Sequence, residues 1–226
     1  MSMPFYVSPE QVMKDRAEYA QKGIARGKSL ISIICTDGVL LAAENPSKSL
    51  HKIGEIHDRI AFAGVGKFNE FDQLRVAGIR HADIKGYTYS REDVDARSLA
   101  NLYAQYLGQV FTHEMKPLEI EVLVAKLGIE DEPSQLFQVS YDGTVVDQEH
   151  YVILGGEAQQ LHERASEVLL EKLPLDESLP IAVGILQGTE RVLTSDDLEV
   201  AVLKDKGQRR TFYRYELSQT LDILGR

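Results

Sequence analysis

The residues with chemistry to offer are few and poorly grouped. Gly23-Ile24-Ala25-Arg26-Gly27-Lys28-Ser29 imitates a phosphate-binding loop. That chemistry needs about four residues between the glycines, and a strand, loop and helix in that order, so that N–H groups at the helix start point at the anion. Here three residues separate the glycines, and the flanking pattern puts a helix first and a strand second. Gly64-Val65-Gly66, with Asp83 downstream, resembles the opening of a dinucleotide fingerprint, but Asn69 stands where the third glycine belongs. A tight strand-to-helix turn accounts for it without a cofactor. The histidines lack metal spacing: His113-Glu114 and His162-Glu163 have no second histidine one helical turn on. Cys35 falls in an apolar run, where burial makes a thiol inert. There is no nucleophile-elbow pattern. Glu130-Asp131-Glu132 and Asp196-Asp197 read as solvated loops rather than paired catalytic carboxylates. The expectation is no catalytic residue, no metal and no cofactor.

Composition narrows the class further. The chain has 226 residues, 43% of them hydrophobic, which is enough for one large domain over residues 1–226 with a substantial core. A net charge of −10 argues against nucleic acid or an anionic membrane as partner. The single cysteine rules out an internal disulfide and fits a reducing compartment. No secretory pattern opens the chain, and no apolar run approaches the roughly 20 residues that span a bilayer. A soluble, cytoplasmic protein is expected.

The elements that must position any site follow from pattern. Residues 1–7 read as a mobile tail. Ser8-Pro9-Glu10-Gln11 opens a helix over residues 8–26, with Ser8 as cap, Pro9 in the first turn and Gly27 as stop. Leu30–Thr36 and Val39–Ala43 flank Asp37-Gly38, a tight-turn signal whose centre tolerates positive φ, and both runs are apolar enough to be buried on two faces. A short segment around Ile53 and Ile56 and a strand over His57–Gly64 come next. Two helices follow, one through Phe68, Phe71, Leu74 and Ala82, and one through Leu99, Leu102, Tyr103, Tyr106 and Val110, entered at Ser90 and Asp93. Strand signals recur at Leu118–Leu127, Leu136–Tyr141, Val145–Val146 and Tyr151–Leu154. Helices through Leu161 to Leu173 and around Leu179–Leu186 come after them. Strands near Leu198–Leu203 and Thr211–Arg214, then an amphipathic helix from Glu216, end the order. Hairpins with helices arriving in pairs predict an α+β fold of two stacked antiparallel sheets covered by helices on both outer faces.

Ser8-Pro9, Ala17-Glu18-Tyr19-Ala20, Gly38-Val39-Leu40-Leu41, His51-Lys52-Ile53, Ala63-Gly64 and Gly155-Gly156 fall in the order and spacing of a 20S proteasome α-subunit. The SPEQ…GIARGKS opening, AENPSKSL and GKFNEFD are similar to the bacterial, actinobacterial type in particular. The resemblance runs from about residue 3 to residue 224. It implies the four-layer αββα sandwich of the N-terminal-nucleophile hydrolases, with residues 28–226 forming it.

The resemblance also places the family's machinery. Catalytic β-subunits attack with a free N-terminal threonine whose own amine activates the hydroxyl. Glu44 and Lys52 fall at the supporting carboxylate and lysine, while the nucleophile position falls at about Lys28, inside the chain. Ser29 cannot substitute, its nitrogen being tied into a peptide bond. What is implied is a non-catalytic subunit of a homo-heptameric α-ring stacked on a β-subunit ring. Ser2, Met3, Pro4, Phe5, Tyr6 and Val7 would plug the axial pore, with Ser8, Pro9 and Tyr19 completing the gate. Lys52 and Gly27 would line the pocket that receives the C-terminus of a hexameric ATPase of the ARC/Mpa type, and Thr112, His113 and Glu114 would match the segment narrowing the pore. The archaeal Tyr-Asp-Arg opening triplet is absent, the tail reading Pro4-Phe5-Tyr6-Val7. Substrates would be unfolded proteins carrying a ubiquitin-like tag. An active hydrolase processed before Ser29, and a stand-alone binding module on the same sandwich, are the alternatives.

Overall fold

The computed structural model describes residues 8–128, 130, 132–188 and 192–224; the expected tail falls outside them. In chain order the elements are α1 (Pro9–Ile24), β1 (Leu30–Ile34), β2 (Val39–Glu44), β3 (Ile53–His57), β4 (Ile60–Gly66), α2 (Phe68–Thr88) and α3 (Ala96–His113). There follow β5 (Ile120–Lys126), β6 (Gln135–Val139), β7 (Val145–Gln148), β8 (Tyr151–Leu154), α4 (Ala158–Val168), α5 (Leu175–Gln187), β9 (Leu198–Leu203), β10 (Phe212–Arg214) and α6 (Leu217–Leu224).

Two five-stranded sheets form, one in the order β10-β9-β2-β1-β8 and the other in the order β3-β4-β5-β6-β7. Every neighbouring pair is antiparallel. Strand periodicity sorts the side chains into layers. Leu30, Ile34, Val39, Leu41 and Ala43 meet Ala61, Ala63, Val65, Leu123 and Ala125 between the sheets. Ile31, Ile33, Leu40 and Ala42 turn the other way, onto Leu179, Ala182, Val183 and Leu186 of α5. On the far side Phe62, Val122 and Val124 pack under Phe71 and Leu74 of α2 and Leu99, Tyr103 and Leu107 of α3. Helices therefore cover both outer faces, and the layers run αββα as the residue pattern and the resemblance both require.

Local chemistry departs from expectation at three places. The β1–β2 hairpin closes through four residues, Cys35 to Gly38, with the Cys35 N–H on the Gly38 carbonyl at 2.9 Å, and neither Asp37 nor Gly38 has a positive φ. Glycine is needed there because a Cβ would run into the Leu203 carbonyl. Asp37 is recruited elsewhere: its Oδ1 accepts the Leu175 N–H at 2.8 Å, capping α5, and its Oδ2 accepts from Lys204 Nζ at 2.6 Å. Cys35 thus opens the loop rather than sitting mid-strand, although it is buried and its thiol is pushed up by that burial. The run His57–Gly64 is not one strand. The chain reverses at Asp58-Arg59, where the Asp58 carbonyl accepts the Thr211 N–H at 2.9 Å and its carboxylate grips Arg91 at 2.7 Å. Finally, Ser90 caps only a short 3-10 turn, and Asp95 starts α3 by accepting the Ser98 N–H at 3.0 Å.

Candidate functional site

The α1–β1 linker, Ala25 to Ser29, threads between the ends of two strands. On one side a Cβ on Gly27 would lie 2.7 Å from Val65 Cγ1 and 3.0 Å from the Gly66 nitrogen. On the other, Gly155 has φ +116° and a Cβ there would reach Ser29 Cα at 2.9 Å, while one on Gly156 would strike the Ala25 carbonyl. The glycines exist so that three backbones can meet here.

This meeting point carries the charged centre. Leu30 stands opposite Ala43, so Glu44, at the end of β2, donates its N–H to the Ser29 carbonyl at 3.0 Å. Lys28 Nζ lies 2.8 Å from Glu44 Oε1; the lysine is half exposed and the carboxylate nearly covered. After the 45–51 loop the chain returns with Lys52, whose Nζ donates to the Lys28 carbonyl at 2.7 Å and the Glu44 carbonyl at 2.9 Å. Lys28, Glu44 and Lys52 are therefore brought together, and Gly27 adjoins them through Lys28. Burial presses the Lys52 ammonium down to about 8, the Glu44 and Glu199 carboxylates hold it up, and the Lys28 charge adds to the fall. An ammonium has three donors, and the two carbonyls occupy two of them.

The residues expected to form a gate lie as follows. Ser8 Oγ accepts the Gln11 N–H at 3.3 Å and Pro9 occupies the first turn of α1. Gln11 does not reciprocate; its side chain goes to Asp15 at 2.6 Å. Tyr19 is 47% exposed, its ring 5.8 Å from Lys116 Nζ. Ten residues of helix put Pro9 and Tyr19 about 15 Å apart along α1, so one chain does not join them. Ser2 to Val7 lie outside the described residues. Thr112 and His113 form the last turn of α3 rather than a free turn, and Glu114 is its cap. Thr112 Oγ1 donates to the Gly108 carbonyl at 2.8 Å, and Arg16 of α1 donates to the Phe111 carbonyl, tying the two helices.

Two features escaped the sequence. Glu199, on β9, is 7% exposed and accepts from the Lys52 N–H at 2.8 Å, the Ile53 N–H at 3.2 Å and Asn45 Nδ2 at 2.6 Å. Its one signal is an acid within the run Leu198–Leu203, where glutamate is rarely buried unpaired. Glu119 is likewise covered, under α1, with Lys67 Nζ at 2.8 Å and Lys116 Nζ at 2.9 Å. Burial pushes its carboxyl up, but the two ammonium partners prevail and hold it at about 2.

The glycine-rich stretch makes no anion cradle, since Gly23 and Ile24 end a helix instead of starting one. Gly66, with φ +106°, serves the β4–α2 turn. Glu132 pairs with Lys126 at 3.1 Å, Asp196 with Lys48 at 3.3 Å, and Asp197 caps the turn after Thr194. No helix among the described residues is long and apolar enough to cross a membrane.

Comparison with known proteins decides the family. The family model described as "Proteasome subunit" matches residues 24–203. This chain belongs to the proteasome subunit family. Within that family it is similar to α subunits along its whole length. It is 61% identical over 225 residues to the proteasome subunit alpha of Acidimicrobium ferrooxidans, covering 100% of this chain and 97% of that one. With the subunit alpha of Xylanimonas cellulosilytica it shares 53% over 225 residues, covering 95% and 92%. With that of Acidothermus cellulolyticus it shares 50% over 230 residues, covering 99% and 98%. The actinobacterial α-type resemblance of the sequence is thereby established, and with it membership of the α ring of the core particle.

Proposed function

We propose that this chain is a cytoplasmic, non-catalytic α subunit that admits substrate to a proteolytic β ring and receives a ring ATPase. The observation that supports this best is the occupant of the nucleophile position. Lys28 offers no hydroxyl, its nitrogen lies within the chain, and its ammonium is held 2.8 Å from Glu44 Oε1. Ser29 is buried, and its carbonyl is locked into the β1–β2 ladder at 3.0 Å. An attacking group with its own amine base is thus missing from an otherwise assembled site.

What the same residues offer is a receptor for a carboxylate. Lys52 has a spare donor in a half-dry setting, where a charge-assisted hydrogen bond to a chain-terminal carboxylate gains strength. In this reading the chain builds a heptameric ring on a β ring, docks a hexameric ATPase of the ARC/Mpa type at Lys52 and Gly27, and passes unfolded, tagged proteins. Residues 1–7 plug the axial pore, Ser8 leads from them into α1, and Pro9 and Tyr19, meeting across neighbouring copies, stabilise the open gate. The last turn of α3, Thr112 to Glu114, narrows the passage.

The test is peptide hydrolysis by the isolated chain, by the particle co-expressed with its β subunit, and by a particle whose α chain lacks residues 1–7. The isolated chain is expected to be silent with or without Ser29→Ala, the particle active, and the truncated particle several-fold faster on peptides. Turnover by the isolated chain that Ser29→Ala abolishes would overturn the reading in favour of a hydrolase. No acceleration on truncation would remove the gate.

A further inference from the structure

Lys52 stands at the junction between the 45–51 loop and β3, and a junction of that kind wanders unless something fixes it. Its main chain is held from two sides. The Lys52 carbonyl accepts the Gly64 N–H at 3.1 Å, which only continues the β3–β4 ladder. The Lys52 N–H, in contrast, is held by a side chain from the other sheet: Glu199 Oε2, at 2.8 Å. Glu199 pairs with Ala43 in the β9–β2 register, one residue before Glu44, and reaches from there across the sheet edge to β3.

Its two oxygens are saturated by donors. Oε2 takes the Lys52 N–H and, at 2.6 Å, Asn45 Nδ2. Oε1 takes the Ile53 N–H at 3.2 Å and the Arg214 guanidinium, with His51 Nδ1 at 3.4 Å. Asn45 passes the restraint on, donating also to the Leu50 carbonyl at 2.7 Å and accepting the Ser47 N–H at 3.1 Å. Arg214 Nη2 closes the cage on the Ile53 carbonyl at 2.7 Å. One buried carboxylate therefore fixes both ends of the loop and the residue that follows it.

We infer that Glu199 is the positioning residue of the docking site: it sets where the Lys52 ammonium is presented to a partner's terminal carboxylate. This rests on the docking reading above and adds a residue to it. Glu199 also sets the charge balance. The charged and titratable groups around the ammonium are Glu44 of β2, Lys28 of the linker, Glu199 of β9 with its Arg214 partner of β10, and the adjacent His51. Neutralising Glu199 leaves Arg214 uncompensated and Lys52 easier to deprotonate. Glutamine is a poor substitute, because its amide would point N–H donors at a ring of donors.

The experiment uses the assembled α/β particle and a fluorescent synthetic peptide with the C-terminal residues of its cognate ring ATPase, as the free acid and as the C-terminal amide. The free acid is expected to bind and the amide to lose most of its affinity. Lys52→Ala should weaken the free acid about tenfold or more, and Glu199→Gln several-fold, with the alkaline limit of binding moved to lower pH. On the Lys52→Ala background, Glu199→Gln should cost nothing further. Equal losses on both backgrounds, or wild-type affinity and pH limit in Glu199→Gln, overturn the inference while leaving the docking reading intact. Wild-type affinity in Lys52→Ala overturns the docking reading itself and this inference with it. If Glu199→Gln does not assemble, Glu199→Asp carries the test, since it keeps the charge and shortens the reach. A several-fold loss confined to the Lys52 background, with the pH limit unmoved, supports the inference, and unchanged binding overturns it.

Discussion

Lys52 keeps an ammonium where burial opposes one, and that tension has a pH signature. Its native value, about 8, lies below the 10.5 of a free lysine, so in the empty site the proton leaves as pH rises through 8 while the unfolded chain still holds it. Stability then increases with pH between about 8 and 10.5, because the unfolded state binds more protons there. The proposed carboxylate docking should run the opposite way: it needs the charge, so affinity should hold below about 8 and decline above it. A bound carboxylate raises the lysine's affinity for its proton, so the midpoint measured with ligand should exceed that of the empty site. Titrating peptide affinity from pH 7 to 10 checks this, and affinity that stayed flat would remove Lys52 as the anion's partner. Lys52, Gly27 and Glu44 could be named from sequence because they sit in a stretch whose spacing resembles a known family. Glu199 could not, because its role depends on a register between β2 and β9 more than 150 residues apart, and no local pattern records that.

At the scale of elements, what local chemistry dictates was legible and what tertiary contact dictates was not. α1 and α3 form where their apolar spacing predicts, although the buried face of α3 runs through Ala96, Leu99, Ala100, Tyr103 and Leu107 and leaves Tyr106 exposed. β1 and β2 are buried throughout as their composition demands. The break at Asp58-Arg59 is set by partners on Thr211 and Arg91, and the start of α3 at Asp95 by a cap that Ser90 could equally have supplied by type. Two substitutions test how the helices are seated. Tyr103 of α3 packs edge-on against Phe62, ring centroids 5.5 Å apart, and its hydroxyl, buried against Gly78, finds no hydrogen-bond partner among the described residues. Tyr103→Phe should keep the packing and shed a stranded polar group, leaving stability unchanged or raised by about 1 kcal/mol in thermal melts. Loss of more than that would mean the hydroxyl is satisfied after all. Glu119 ties the start of α2 to the segment after α3 by pairing with Lys67 and Lys116, both about half exposed, so water screens part of the attraction. Glu119→Gln should cost about 1–2 kcal/mol at neutral pH. Since the native carboxyl is held at about 2 against 4.5 when free, that difference is complete above 4.5 and should vanish as pH falls toward 2. A cost that persisted at low pH would assign the loss to packing rather than charge.

For the whole molecule, the proposal comes down to a sandwich that holds a carboxylate at Glu44 and an ammonium at Lys52 but carries Lys28 where a nucleophile is expected. The αββα layers bring Lys28, Glu44 and Lys52 to one point, and the lysine at the expected nucleophile position is what favours the proposed binding role there over a reactive one. The layers were legible because paired helices and antiparallel hairpins leave few other ways to bury two sheets. How the expected gate residues act together was not, since Pro9 and Tyr19 stand about 15 Å apart on one helix and Ser2 to Val7 lie outside the described residues. The most direct measurement is ATP-dependent degradation of a tagged, folded substrate by the α/β particle with its ring ATPase, comparing Lys52→Ala with the unaltered chain, alongside ATP-independent hydrolysis of a short peptide. The account predicts at least a tenfold fall in degradation, with basal peptide hydrolysis at its ordinary rate. Degradation at full rate in Lys52→Ala would contradict it.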